Sequence, residues 1–140
     1  MTGVQTCALP ISLLDPATGE LSYANAGHPP PVWASESGQA GYLDDASGVM
    51  LGVPVEPAFT VGHRTLEPGT SLLFYTDGLI EDRRRDITDG LNTLAGAMAR
   101  VMGGPAPLSA ERTCATVQAA LLGDTARADD VCLLAVRLTG

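Results

Sequence analysis

The stretch LLFYTDGLIEDRRRD, residues 72–86, decides how the chain is read. An apolar and aromatic run, Leu72 to Tyr75, has the composition of a buried strand. It runs into Thr76-Asp77-Gly78, which has the composition of a turn, and a burst of charge follows. A strand that stops on an aspartate has two readings. One is a plain strand-ending turn; the other is a carboxylate held rigidly at the rim of a sheet to do chemistry.

Upstream, SLLDPATGELSYANAG (12–27) reads as a β-hairpin closed by Asp15-Pro16-Ala17-Thr18-Gly19, a loop rich in turn formers. Pro29, Pro30 and Pro31 cannot donate ladder hydrogen bonds, so the strand ends or leaves the sheet after His28. PVWAS (31–35) resumes a short strand anchored by Trp33. Residues 35–56 read as loops around short strands near AGYLDD and GVMLGV. AFTVGHRTLEPGTSLLFYT (58–76) reads as two strands joined by a turn at Glu67-Pro68-Gly69. His63 falls on the first of these as a surface or cross-strand residue.

Downstream the pattern changes. In DITDGLNTLAGAMARVM, apolar residues at 91, 94, 98, 101 and 102 have near-helical spacing. Gly103-Gly104 and two prolines stop this helix. SAERTCATVQAALL (109–122) reads as a second helix with Ser109 as N-cap and Ala110, Cys114, Val117, Ala120 and Leu121 on its inner face. DDVCLLAVRL (129–138) is long and apolar enough for a central strand, with Cys132 as a small core residue. Strands, then two helices, then a closing strand give an α+β fold with helices packed on a sheet.

Composition narrows the function. The 140 residues carry 8 basic and 16 acidic side chains, a formal charge of −8, and all the basic residues are arginine. Such a chain is a poor nucleic-acid ligand, because little neutralises a phosphate backbone. The one basic cluster, Arg83, Arg84 and Arg85, is flanked by acids and reads as a solvated loop or a dock for an acidic or phosphorylated partner. The three cysteines, Cys7, Cys114 and Cys132, have no metal-site spacing. No apolar stretch reaches the roughly 18 residues of a membrane span, and no signal peptide is recognisable. The expected address is cytoplasmic.

Two acidic positions share one logic. Asp77 follows a strand, and Asp129 and Asp130 begin one. Were those strands adjacent and antiparallel, the carboxylates would meet at one edge of the sheet. Clustered carboxylates raise one another's pKa unless a cation offsets them, and hard Mg²⁺ or Mn²⁺ ions take such oxygen ligands. Turn aspartates without a metal account for the same residues equally simply. His28, before the prolines, reads as a loop residue bonded to backbone, or as a group near the same rim that orients a phosphate or water. Asn25 is disfavoured inside a strand, so its side chain is expected to hydrogen-bond near a site. No nucleophile–histidine pair, phosphate-cradling glycine loop or HExxH is present.

LSYANAGHPPP (21–31), PGTSLLFYTDGLIE (68–81) and DDVCLLAVR (129–137), with GVMLGV (48–53) between the first two, resemble in order and spacing the SpoIIE/RsbU branch of the metal-dependent, type 2C-like serine/threonine protein phosphatases. The resemblance spans nearly all of residues 12–140. It implies a sandwich of two antiparallel sheets flanked by helices, with two Mn²⁺ or Mg²⁺ ions at one end. Matched by motif, Asp77 and Asp129 take metal-ligand positions, with Asp130 adjacent and Gly78 allowing a tight turn after the ligand. The implied reaction is hydrolysis of phosphoserine or phosphothreonine on a regulatory protein such as an anti-sigma-factor antagonist. Water activated by metal attacks phosphorus in line, without a phosphoenzyme.

Three departures qualify the match. The upstream half of the family domain, with a GGD-type motif supplying further aspartates, is missing from these 140 residues, and the resemblance implies an upstream sensory module in the intact protein. Two carboxylate positions are too few for two cations, so the chain alone is expected to be inactive, with open sheet edges that favour aggregation. RRRDITDG stands where the family has an fG element, and Cys132 replaces a family threonine. Residues 1–11, MTGVQTCALPI, lack periodicity and resemble the in-frame translation of a widely used sequencing adapter. On this reading residues 12–140 are the C-terminal part of a phosphatase domain. The rival expectations are a catalytically degenerate domain and a metal-free partner-binding regulatory module.

Overall fold

The computed structural model describes residues 8–54, 56, 59–81, 86–106, 108–123 and 130–140. Asp129, the Arg83–Arg85 cluster and Cys7 lie outside the described residues, as do residues 1–7 of the adapter-like segment. Among the described residues eight strands form two sheets: β1 (Leu9–Leu14), β2 (Glu20–Ala26), β3 (Val32–Ala34), β4 (Ala40–Tyr42), β5 (Ser47–Gly48), β6 (Gly62–Thr65), β7 (Ser71–Tyr75) and β8 (Leu133–Arg137). The first sheet is built on β2, which pairs antiparallel with β1 and β6 and, over two residues, parallel with β5. The second has the order β4-β3-β7-β8, antiparallel throughout.

Helix α1 (Ile87–Met102) starts where the Asp86 side chain accepts the Thr88 N–H, and α2 (Ala110–Leu122) where Ser109 Oγ accepts the Arg112 N–H. Each cap satisfies one of the orphan donors of a first turn. Alternation along the strands divides the apolar side chains between two cores. Leu21, Tyr23, Leu43, Leu66, Leu72 and Leu138 lie between the sheets, with Trp33, Phe74 and Val136 packed against them. On the other face of the second sheet, Val32, Leu73 and Tyr75 meet Leu94, Met98 and Met102 of α1 and Val117 and Leu121 of α2. The architecture is therefore sheet, sheet, helices, three layers of the α-β-β-α sandwich. On β1, Leu9, Ile11 and Leu13 are exposed, Leu13 by 75%.

Several local expectations are corrected. β8 is an edge strand, not a central one, and Leu134 is 58% exposed. Cys132 is exposed rather than core: exposure alternates along this segment, and Cys132 falls in phase with Leu134, which is exposed even though it pairs with Phe74. On α2, Ala120 is exposed, and fully buried Thr113 lies on the inner face one turn from Val117. The hairpin is as read: Ala17 N–H bonds Asp15 Oδ1, and Gly19 at φ +74° closes the loop. β1 itself begins at Leu9, inside the adapter-like segment.

The antiparallel order gives the sheets two distinct rims. At one, β7 ends beside the starts of β3 and β8, and β4 ends beside the start of β3, with Leu43 N–H bonded to the Pro31 carbonyl. The opposite rim gathers the 15–19 loop, the Glu67–Thr70 turn and Leu138.

Candidate metal centre

Sheet topology puts the acidic motifs on the first of these rims. β7 pairs with β8 from Ser71–Arg137 to Tyr75–Leu133, so the residues after β7 face those before β8. Thr76 N–H donates to the Cys132 carbonyl at 3.1 Å. The Thr76 hydroxyl donates to the Asp130 carbonyl at 2.9 Å and accepts the Cys132 N–H at 2.9 Å. Asp77 and Asp130 therefore stand on adjacent segments, and both are exposed.

Asp77 opens a 3₁₀ turn, Asp77–Leu79, whose Gly78 and Leu79 are buried. Its carbonyl accepts from Ile80 and Glu81, and its Oδ1 accepts the Gly78 N–H at 2.9 Å. The backbone is thus fixed on the protein side while the carboxylate faces water. Gly78 does not use positive φ; the tight exit is the 3₁₀ turn itself. Below it, a Cβ on Gly90 of α1 would overlap the Ile80 carbonyl oxygen, so only glycine lets the helix approach this closely.

The third segment of the rim is the loop from β2 to β3. Asn25, 3% exposed, closes a bracket: its Nδ2 donates to the His28 carbonyl at 2.5 Å, and its Oδ1 accepts the His28 N–H at 2.9 Å. Gly27 at φ +69° makes the corner, and its N–H bonds the Gly48 carbonyl. A Cβ there would overlap Met50, which ties the GVMLGV segment to this loop. His28 Nδ1 lies 2.8 Å from the Pro29 carbonyl, so the ring is bonded to backbone. The Tyr75 hydroxyl donates to the Pro30 carbonyl at 2.9 Å and pins the loop to the end of β7. Burial holds the Tyr75 phenol well above its usual ionisation range.

Two features were not anticipated from sequence. Tyr23 donates its hydroxyl to Asp45, where the chain crosses from the second sheet to the first. Its pKa is pushed up to about 12, by burial first and then by the hydrogen bond to Asp45. Thr76 is the other, and only its place before Asp77 in the motif marked it.

In kind, the donors fit a hard divalent cation: Asp77 and Asp130 offer carboxylate oxygens on fixed backbone. In number they do not complete a site, since among the described residues no three His, Cys, Asp or Glu side chains converge.

Comparisons with known proteins agree on the fold. The crystal structure of the RsbU and RsbW domains of Rv1364c from Mycobacterium tuberculosis is similar at 32% identity and TM-score 0.85, over 99% of this chain and 39% of that one. The Mn-presoaked phosphatase domain of SpoIIE from Bacillus subtilis is similar at 15% identity and TM-score 0.74, over 96% and 57%. RsbX in complex with magnesium is similar at 20% identity and TM-score 0.65, over 94% and 56%. Protein IcfG of Synechocystis is 34% identical over 71 residues, 51% of this chain and 11% of that protein. The chain thus spans well under two thirds of the length of each. The family described as Stage II sporulation protein E (SpoIIE) matches residues 2–139. With the fold, the ordered motifs and this match in agreement, the chain belongs to the SpoIIE family, in the SpoIIE/RsbU branch of the PP2C-type phosphatase domains.

Proposed function

We propose that this chain forms part of a metal-dependent protein serine/threonine phosphatase, acting on phosphoserine or phosphothreonine of a regulatory protein such as an anti-sigma-factor antagonist. The observation that carries the reading is the β7–β8 pairing, which brings the Asp77 turn beside the Asp130 segment. Asp77, Asp129 and Asp130 would hold Mn²⁺ or Mg²⁺, with the Gly78 backbone alongside. Two cations need more ligands than these residues offer, and the chain alone is expected to be inactive. When bound, the cations supply Lewis-acid stabilisation of phosphoryl charge and lower the pKa of water.

The chain's own contribution is placement. The Gly78 N–H occupies one oxygen of Asp77 and limits rotation of the carboxylate. The 3₁₀ turn holds its backbone against the buried Leu79 and Ile80. The Asn25 bracket and the Tyr75–Pro30 bond hold His28 beside the rim, where it is suited to orient a phosphate or water. The structural relatives named for RsbU, RsbW and SpoIIE support a regulatory protein as substrate.

The test is Asp77→Asn in the full-length protein, assayed for Mn²⁺-dependent release of phosphate from a phosphoserine protein. Turnover should fall by at least about 100-fold with the melting temperature little changed, as for loss of a charge-stabilising group. Near-normal turnover would sink the assignment. Wild-type protein with neither Mn²⁺ stabilisation nor turnover would instead support a metal-free partner-binding module.

A further inference from the structure

Thr76 occupies the point where the β7–β8 ladder ends. The last paired residues are Tyr75 and Leu133, and beyond them the facing backbone leads to the two acidic segments. A hydroxyl carries one donor and two acceptor sites. Thr76 spends its donor on the Asp130 carbonyl and an acceptor site on the Cys132 N–H, both at 2.9 Å. Its own N–H holds the Cys132 carbonyl. One side chain thus bonds the backbone on both sides of Val131, and its main chain bonds the same segment again. Asp77 is the next residue in the chain. The β-branch restricts χ1 and favours a single orientation of the hydroxyl.

We propose that Thr76 is a positioning residue of this rim, whose hydroxyl sets the separation between the Asp77 turn and the Asp130 segment and hence the spacing at which their carboxylates meet a divalent cation. The proposal rests on the metal-dependent reading above and adds a determinant to it. Thr76 does not touch the cation; it acts through the backbone that carries the ligands. A strand-ending residue of purely structural use would stabilise the sheet without altering affinity for metal.

The test compares Thr76→Val, which keeps the shape and removes both hydroxyl bonds, with Thr76→Ser, which keeps the hydroxyl. Amide hydrogen exchange on the wild-type and variant chains reads the clasp without metal. In Thr76→Val the Cys132 amide should exchange roughly tenfold faster, the worth of one hydrogen bond, while amides within the β7–β8 ladder keep their protection. Thr76→Ser should restore the Cys132 amide. Calorimetric titration of the full-length protein with Mn²⁺ alone should show affinity about tenfold weaker in Thr76→Val, in the range found for residues that orient ligands. Turnover of the variant should recover toward wild type as Mn²⁺ is raised.

Unchanged Mn²⁺ affinity in Thr76→Val, or faster exchange spread evenly over the sheet, would overturn the role given to Thr76 and leave the phosphatase reading standing. Failure of the wild type itself to bind Mn²⁺ would overturn both, and the exchange data would still show whether the clasp exists.

Discussion

The two rims of the sandwich are closed by different means. At the far rim backbone bonds do most of this work, beside the Asp15 side chain in the hairpin loop: Leu66 N–H bonds the Gly19 carbonyl, Gly69 N–H bonds the Leu138 carbonyl, and Leu138 N–H returns to the Thr70 carbonyl. Gly19 and Gly69 take positive φ to allow it. At the acidic rim, side chains do much of this work. Asn25 brackets His28, Tyr75 holds Pro30, and Thr76 holds Asp130 and Cys132. A backbone-closed rim depends on conformations only glycine tolerates. A side-chain-closed rim can be adjusted one residue at a time, and this is the rim where the acid-bearing segments lie.

The largest effect should come from breaking the far rim. Gly19→Ala must place a Cβ against the Leu66 carbonyl at a positive φ, and a cost of about 2–4 kcal/mol in urea unfolding is expected. Asn25→Ala should cost less, about 1–3 kcal/mol, because it strands the His28 N–H and carbonyl that Asn25 serves. Its damage should concentrate at the acidic rim, as faster amide exchange at His28, while the far rim keeps its protection. An Asn25→Ala protein unfolding like wild type would show that backbone bonds carry both rims.

The third test has no effect at neutral pH. Tyr23, Tyr42, whose hydroxyl donates to the Leu91 carbonyl, and Tyr75 all have raised pKa values, chiefly from burial. Their folded-state values exceed the ordinary 10.0, so the contribution to stability is intact below that pH. It is lost as the pH climbs through the raised values. Ultraviolet titration should therefore show little tyrosinate until the pH approaches about 12, the value for Tyr23, or until the protein unfolds. The far rim's backbone bonds have no such transition. Tyrosinate appearing near pH 10 in folded protein would mean these hydroxyls are not held as described.

Much of this was legible in the sequence, unevenly. The β7 strand and the turn after it were plain from an apolar run meeting Thr-Asp-Gly, and α1 from its spacing. The hairpin loop could be read because Asp15 and Gly19 act over a few residues. Asn25, out of place in a strand, signalled the side-chain bonding that the structure contains. The β8 segment was misread, since an apolar run states neither where pairing begins nor whether a strand lies at an edge. Cys132 is exposed in phase with Leu134, which the apolar run does not reveal. Thr76 was legible only as a motif letter, because its partners lie 54 and 56 residues away. Contacts of that range arise from topology, and local pattern does not report them. Asp77 was legible as a rim carboxylate, whereas the placement of Asp129 lies outside the described residues.

The bonds from Asn25, Tyr75 and Thr76 join neutral groups within a chain of net charge −8. Salt screens exposed charges over a distance of about 8 Å at physiological ionic strength, but it does little to a short bond between a neutral hydroxyl or amide and a carbonyl. Ionic strength should therefore alter how strongly this acidic chain repels another anionic protein, while these neutral bonds keep their lengths. Repulsion and alignment are thereby governed separately, and a change in salt acts as a control on the first alone.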